Sequence, residues 1–285
     1  MEHKYKILKN INKSVLASVL AMGFVTLPAL AEDLKGFYSG AAITTGANST
    51  IYGDINARAA ITLGAGSDVS GDLTAGAAIT EGAGASYDGT KLALSEPDVP
   101  SGIVASQLAL QDYIAQQALY NQNELDTTMA VSKTLKAGFY HTTALTTTAG
   151  ITLTFDGEGS SNTQWIINID SYLSIGANLT IVLKNGAEPS NIIFNTGGYV
   201  AIGANSNLVG TIVAGTYITT GAGTTLTSDL FAGTYITTGA DSTLTSIDNT
   251  CVGLYTTNGA ITLGANSTVG SESCSEDSDP HPNFG

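Results

Sequence analysis

The chain has 285 residues, with 10 lysines and arginines against 24 aspartates and glutamates, which gives a formal net charge of −14. A surface this negative argues against nucleic acid or anionic membranes as partners. Acidity also keeps exported proteins soluble, so the negative charge argues against these partners but does not identify the partner that the protein has.

The first 31 residues have the pattern of a signal peptide. Basic residues at positions 4, 6, 9 and 13 precede an apolar run from Val15 to Leu27, and Ala29-Leu30-Ala31 forms a small-residue cleavage site. The apolar run is short for a membrane span, with an uncleaved anchor as the alternative. We expect cleavage after Ala31 and secretion, which leaves six basic and 23 acidic residues.

The dipeptide Gly-Ala recurs, most often at a spacing of 18 residues, and begins at positions 46, 64, 82, 176, 203, 221, 239 and 264. Short β-rich runs with alternating side chains flank these copies, three to a repeat. Three such strands in 18 residues predict one coil of a three-sided parallel β-helix. We predict a mainly β domain over residues 32–270 with about nine coils, including a degenerate copy at Ala144-Leu145-Thr146-Thr147.

Alternation within each run separates inward from outward side chains. The expected core residues share the inward positions of the first and second strands, and they are Ile43, Ile61, Ile79, Ile218, Ile236, Ile261, Leu208, Leu226, Leu244 and Val269. The threonines beside them then point outward.

A different segment interrupts the repeats between Ala85 and Phe139. Prolines at 97 and 100 break the strand pattern, and residues 102–121 carry apolar side chains on one broad helical face. We predict one long α-helix over about residues 102–121, packed alongside the β-helix. Because residues 259–270 resemble coils 41–53 and 59–71, we expect three coils, a crossing along the helix, and six returning coils whose last docks near the first.

Both cysteines of the chain, Cys251 and Cys274, lie near the C-terminus. In an oxidising compartment a disulfide that pins the last coil is the preferred prediction, with two free thiols as the alternative. Residues 271–285 are polar and acidic, and we expect a disordered tail.

Catalytic chemistry finds little support in the sequence. After cleavage only two histidines remain, and neither a zinc spacing nor a Ser/His/Asp arrangement occurs. Asp54 with Asp72, and Asp156 with Glu158, could serve as acid pairs or calcium ligands, but turn and corner chemistry is the better explanation. We therefore predict no catalytic residue, no metal and no cofactor.

Outward hydroxyl groups form two candidate faces. The face beside the second strand, interrupted by Asp68, consists of Thr50, Ser86, Asn207, Thr225, Thr227, Thr243, Thr245 and Thr268. The competing face beside the first strand consists of Thr44, Thr62, Thr80, Thr219, Thr237 and Thr262. Threonine is also a good strand former that pairs across strands, which is the structural explanation. A flat grid of methyls and hydroxyls at a fixed spacing instead suits the lattice of an ice crystal, because many weak contacts on a preorganised surface add up.

Four tyrosines, Tyr172, Tyr199, Tyr217 and Tyr235, form a predicted ladder outside the first strand. Stacking between coils or burial under the helix is the structural explanation, and stacking on sugars is the alternative.

These features resemble the microbial ice-binding protein family, whose members combine a discontinuous right-handed β-helix with one long helix alongside. The resemblance covers about residues 36–271, and its strongest local signs include Leu135-Lys-Ala-Gly-Phe-Tyr140, Trp165-Ile-Ile-Asn-Ile-Asp170 and Gly210-Thr-Ile-Val-Ala214. It implies a right-handed β-helix that adsorbs to ice and inhibits ice growth and recrystallisation. Of the family pattern Thr-Ala/Gly-x-Thr/Asn, the second-strand face matches the last position but has alanine at the first.

We predict a secreted, monomeric, non-enzymatic ice-binding protein whose partner is an ice crystal surface, and which binds neither nucleic acid nor membranes. The alternative is an extracellular adhesin or matrix protein that holds polysaccharide on the same scaffold, and a polysaccharide-active enzyme is a third reading. A flat Thr/Ala face favours ice, a groove with stacked tyrosines favours the adhesin, and a cleft with convergent acids favours the enzyme.

Overall fold

The computed structural model describes residues 36–98, 111–112, 114, 122–247 and 251–277. Over these ranges the chain winds into three parallel sheets, which we call sheets A, B and C. The mainly β architecture predicted from the repeats is confirmed. The predicted signal peptide, residues 1–31, lies outside the described residues.

Strands from successive coils stack side by side in each sheet. Sheet A has the spatial order β10 (Lys91–Ala93), β7 (Leu73–Ala75), β4 (Asp54–Ala57), β1 (Gly36–Ser39), β29 (Leu254–Thr256), β26 (Leu230–Ala232), β23 (Thr211–Ala214), β20 (Ile192–Thr196), β17 (Trp165–Ile169), β14 (Gly138–Thr142) and β11 (Asn123–Glu124). Sheet B has the order β12 (Thr128–Met129), β15 (Leu145–Thr147), β18 (Leu173–Ile175), β21 (Val200–Ile202), β24 (Ile218–Thr220), β27 (Ile236–Thr237), β30 (Ile261–Thr262), β2 (Ile43–Thr44), β5 (Ile61–Leu63) and β8 (Ile79–Glu81). Sheet C has the order β13 (Lys133–Lys136), β16 (Thr152–Asp156), β19 (Thr180–Lys184), β22 (Asn207–Val209), β25 (Thr225–Thr227), β28 (Thr243–Thr245), β31 (Thr268–Val269), β3 (Thr50–Ile51), β6 (Asp68–Val69) and β9 (Ser86–Tyr87).

Within the described residues, ten coils contribute a strand to all three sheets, one more than the nine predicted. The additional coil is β11 to β13, over residues 123–136, so that seven coils rather than six return along the prism. This coil lacks the Gly-Ala dipeptide that marked most of the others.

The order of coils along the prism differs from their order in the sequence, as predicted. Strands β29, β30 and β31 of the last coil pair with β1, β2 and β3 of the first. The two blocks of coils therefore share continuous sheets and one hydrophobic core.

Inward side chains of the three sheets form that core. Nine of the ten predicted residues are buried, whereas Ile79, in the terminal coil of sheet B, is only half-buried. The returning block also places Trp165, Phe155 and Phe194 in the core in edge-to-face contact. The Trp165 indole N–H donates to the backbone carbonyl of Leu135 at 3.2 Å, which satisfies this buried donor.

A second apolar cluster covers the outer surface of sheet A. It consists of Tyr38, Ile114, Phe139, Ile166, Ile193, Phe231 and Tyr255. The predicted helix over residues 102–121 lies almost entirely outside the described residues; Gln111, Asp112 and Ile114 are described, and they are helical. In the parts of the chain that are described, no helix has the length and apolar character needed to cross a membrane.

Cys251 and Cys274 form a disulfide with their Cα atoms 4.8 Å apart, the pairing that the sequence favoured. Within the region predicted to be a disordered tail, Glu272–Asp277 form a 3-10 helix, and residues 278–285 lie outside the described part of the chain. A second 3-10 helix, Pro189–Asn191, precedes β20.

Candidate functional site

The turn between the sheet B strand and the sheet C strand of each coil aligns the outer surfaces of these two sheets. In nine coils one turn residue has φ between 54° and 74°, and it is Asn, Asp or Gly, the residue types that adopt this left-handed conformation most readily. The glycine of the Gly-Ala dipeptide is required by stacking, because a Cβ atom on Gly221 would lie 2.5 Å from the backbone nitrogen of Ala204 in the next coil. Successive corners therefore stack in direct contact, and the side chains that follow them stay in register.

A column of buried hydroxyl groups lines the inside of these corners. Its members are all at most 1% exposed, and they are Ser49, Ser67, Ser206, Thr224, Ser242 and Ser267. Ser242 Oγ donates to the carbonyl oxygen of Gly239 at 2.7 Å, and Ser267 Oγ donates to that of Gly264 at 2.8 Å. The buried hydroxyl groups thus find hydrogen-bond acceptors in the carbonyl oxygens of their own turns. The column was not predicted, although in six coils a serine or threonine directly before the outward residue of the sheet C strand was a signal for it.

The outer surface of sheet B, the sheet B face, carries one uninterrupted column of small side chains. In spatial order this column is Thr128, Thr146, Ser174, Ala201, Thr219, Thr237, Thr262, Thr44, Thr62 and Thr80. Backbone pairing places consecutive members about 4.8 Å apart. All six threonines predicted for this face lie in the column, and none of its ten positions carries a charge.

A second outward column runs beside the first, two residues earlier in each strand. Its backbone carbonyls accept hydrogen bonds from coil to coil, and over eight coils its residues are Tyr172, Tyr199, Tyr217, Tyr235, Ala260, Ala42, Ala60 and Ala78. The four tyrosine rings stack nearly parallel, with centroids 4.7 to 5.2 Å apart. The predicted ladder therefore exists, and ring faces between adjacent tyrosines are occupied by each other rather than open to a sugar.

The outer surface of sheet C, the sheet C face, also carries an in-register column. It is Thr152, Thr180, Asn207, Thr225, Thr243, Thr268, Thr50, Asp68 and Ser86. Thr227 and Thr245 are partners in a neighbouring column, where their hydroxyl groups lie 3.1 Å apart. The structure thus brings together the eight residues predicted for the second-strand face, and extends them by Thr152 and Thr180.

Charged side chains interrupt the sheet C face at both ends. Asp68 lies within the main column and accepts a hydrogen bond from Ser86 Oγ at 2.6 Å. At the other end Lys136, Asp156 and Lys184 are register partners on three successive coils. The main column of the sheet C face therefore contains a charged residue, whereas the main column of the sheet B face contains none.

The candidate catalytic carboxylates serve as turn and corner acceptors. Asp54 Oδ1 accepts the backbone N–H of Asp72 at 2.8 Å, and the Asp72 carboxylate repeats this bond one coil further. Hydrogen bonds from the backbone N–H of Glu158 and the side chain of Asn185 hold the pKa of Asp156 below its usual range. Among the described residues, no group of three His, Cys, Asp or Glu side chains could hold a metal ion.

His141 lies on the outer surface of sheet A between two carboxylates. Its Nε2 is 3.0 Å from Asp170 Oδ1, and its Nδ1 is 3.4 Å from Glu124 Oε1. Burial acts to lower the pKa of His141, but the hydrogen bonds to Asp170 and Glu124 outweigh it, and the pKa is raised. Because Glu124 belongs to β11, this arrangement fastens the terminal coil to its neighbours.

Comparison with protein families finds one whose description is ice-binding-like, and it matches residues 37–245. A curated relative, ice-binding protein 1 of Shewanella frigidimarina (strain NCIMB 400), is 40% identical over 82 residues. That match covers 28% of this chain and 9% of the relative, so the chain spans only a small part of that protein's length.

Solved structures give a likeness over most of the chain. The DUF3494 domain of Shewanella frigidimarina ice-binding protein 1 is 21% identical, with a TM-score of 0.50, and the match covers 85% of this chain and 96% of that domain. A glycosylated ice-binding protein from an Arctic yeast is 18% identical, with a TM-score of 0.47 and coverage of 88% and 94%. At this identity, the first of these supports the fold of the chain and nothing further.

Proposed function

The chain belongs to the ice-binding-like family, and from that premise we propose that it adsorbs to ice and thereby inhibits ice growth and recrystallisation. An ice front pinned between adsorbed molecules has to curve, which lowers the temperature at which it advances. The observation that carries this proposal is the uncharged, in-register column of ten small side chains on the sheet B face.

Such a surface suits an ordered solid made of water. Methyl groups favour caged water around them, and hydroxyl groups can anchor that water to the protein at a repeat of about 4.8 Å, close to the oxygen spacing on ice planes. The strands hold the threonines in fixed positions, and β-branched side chains are stiff, so binding costs little conformational entropy. Many weak contacts then add up across the face.

We propose the sheet B face, with Thr44, Thr62, Thr80, Thr219, Thr237 and Thr262, as the ice-binding surface. Its main column has no charged member to retain a hydration shell against the crystal, whereas Asp68 interrupts the column on the sheet C face. The sheet C face, with Thr50, Ser86, Asn207, Thr225, Thr227, Thr243, Thr245 and Thr268, is the competing surface that the experiment below tests.

The remaining parts of the proposal concern the whole protein. We infer a secreted monomer, cleaved after Ala31, that acts through surface geometry and not by catalysis, and the disulfide between Cys251 and Cys274 supports an oxidising compartment. A right-handed winding and a long helix over residues 102–121 alongside the sheets belong to the same proposal.

The test is to grow single ice crystals in a solution of the purified protein and to measure the thermal hysteresis. This is the gap between the melting and freezing temperatures, called the freezing gap below. We expect faceted crystals and a measurable gap. Thr44→Tyr and Thr62→Tyr each place a bulky ring in the main column of the sheet B face. Each variant should lose most of the gap and keep its fold.

Thr225→Tyr and Thr243→Tyr are the matched controls, because they make the same change at equivalent outward positions on the sheet C face. We expect both controls to keep the gap. Loss of the gap in these controls alone would move the site to the sheet C face. Growth of unaltered ice discs at high wild-type concentration would overturn ice binding itself.

A further inference from the structure

The tyrosine ladder divides the sheet B face into two unlike halves. Tyr172, Tyr199, Tyr217 and Tyr235 occupy the second outward column over four coils, and alanines occupy the same column over the next four. Each alanine coil thus presents an alanine and a threonine two residues apart. We call these four coils the Ala-Thr grid, and its pairs are Ala260 with Thr262, Ala42 with Thr44, Ala60 with Thr62, and Ala78 with Thr80.

The rings form a ridge along the edge of the face. Ring centroids lie 5.2, 5.1 and 4.7 Å apart, with interplanar angles of 6°, 5° and 3°. These separations are close to the strand spacing of a sheet, about 4.8 Å, so each ring stays level with its own coil instead of folding onto a neighbour. Tyr235, the last ring of the ridge, is 39% exposed, and Ala260 follows it in the same column.

The ridge also changes the exposure of the threonines beside it. Thr219 and Thr237, on coils with a tyrosine, are half-buried, and so is Thr262, whose coil is next to that of Tyr235, whereas Thr44, Thr62 and Thr80 further into the Ala-Thr grid are exposed. A flat crystal plane that contacted the low methyl groups of the grid would meet the taller rings before it reached Thr219 or Thr237. A rigid plane cannot adapt to that step as a flexible ligand could.

We propose that the tyrosine ladder sets the edge of the ice-contacting area, so that ice contacts the Ala-Thr grid and not the tyrosine coils. This inference rests on the proposed function and narrows its site. It assigns Tyr217 and Tyr235 a limiting role, and it removes Thr219 and Thr237 from direct contact. The contact area then combines coils from both ends of the described chain, because Thr262 pairs with Thr44.

The experiment extends the grid. The double variant Tyr217→Ala/Tyr235→Ala continues the alanine column past Ala260 and adds two coils to the four, so contacts that sum over the face should increase the freezing gap about 1.5-fold at equal concentration. The gap is measured near 0 °C, after circular dichroism has verified the fold, because the loss of stacking lowers the melting temperature.

Tyr172→Ala/Tyr199→Ala is the matched control. It also removes two stacked rings, but Tyr217 and Tyr235 still separate the new alanines from the grid, so we expect the wild-type gap. An unchanged or smaller gap in Tyr217→Ala/Tyr235→Ala would overturn the inference while leaving ice binding intact, and so would an equal gain in both variants. Absence of any gap in the wild type would overturn the proposed function and this inference with it.

Discussion

At the scale of single residues, the corner glycines have a role distinct from that of the left-handed residue two positions later. A Cβ atom on Gly221 would lie 2.5 Å from the nitrogen of Ala204, whose own coil is hydrogen-bonded to the coil of Gly221. Neither backbone can retreat, so we expect Gly221→Ala to cost about 1–3 kcal/mol of unfolding free energy. Thermal unfolding followed by circular dichroism measures this loss.

Gly223→Asn is the matched control within the same turn. Gly223 has φ +68°, and an added Cβ would meet only the end of the Asn205 side chain. Asparagine already occupies the equivalent position at Asn48, Asn205 and Asn266 with φ between 54° and 56°. The control should therefore change stability by less than about 0.5 kcal/mol. Equal costs for the two variants would contradict the stacking argument.

The sequence predicted which strand residues point inward or outward, but it did not predict the buried hydroxyl groups of the turns. Alternation placed Ile61 and Leu226 inside and Thr62 and Thr225 outside, because successive side chains of a strand point to opposite faces. The buried hydroxyl of Thr224 escaped prediction, since it lies directly before an outward threonine in a region where polar residues are expected on the surface. Thr224 hydrogen-bonds the carbonyl of Gly221 in its own turn and Ser242 in the next coil, and the second of these contacts exists only once the coils are stacked.

At the scale of elements, the disulfide between Cys251 and Cys274 closes the last coil, β29 to β31. Cys251 precedes β29 and Cys274 lies in the 3-10 helix after β31, so the bond links the two ends of that coil. Because it closes a loop of 23 residues, the variant Cys251→Ser/Cys274→Ser should lose about 3 kcal/mol of stability. Thermal midpoints of the variant and of the wild type, each with and without reductant, measure this loss.

Reductant should lower the wild-type midpoint to that of the variant and leave the variant unchanged. Hydrogen exchange should become faster mainly in residues 254–270, and to a smaller extent in the flanking coils β26 to β28 and β1 to β3, which pair with this coil. Identical midpoints for oxidised and reduced wild type would contradict a role for the disulfide in holding this coil.

Elements were predictable wherever the repeat kept its small corner residues. The coil over residues 123–136 was missed because Thr128-Met129 is followed by Ala130-Val131 and not by Gly-Ala. As the terminal coil of its block, it has a described neighbour on one side only, β14 to β16, so its corner does not have to fit between two others. The steric requirement that favours glycine at the other corners is therefore weaker at the corner of this coil.

At the scale of the whole molecule, the similarity of residues 259–270 to coils 41–53 was enough to predict how the two blocks join. Ile261 stacks on Ile43, Thr262 on Thr44 and Thr268 on Thr50, so the join has the same inward and outward residues as any other pair of coils. The choice of functional face was not predictable in the same way. It depends on which column lies beside tyrosines or charges, and that requires the register of all coils.

The distribution of charge over the whole molecule leads to a last prediction. The chain carries a net charge of −14, yet the main column of the sheet B face has no charged residue. Raising NaCl from about 0.05 M to about 0.5 M shortens the screening length to roughly 4 Å, which weakens contacts that rely on surface charge. We expect no fall in the freezing gap, measured relative to the melting point of each buffer.

Asp68→Asn should behave like the wild type at both salt concentrations, because Asp68 lies on the sheet C face. A gap that shrinks with salt, or that changes in Asp68→Asn, would indicate a charged contact surface and would favour the sheet C face over the Ala-Thr grid.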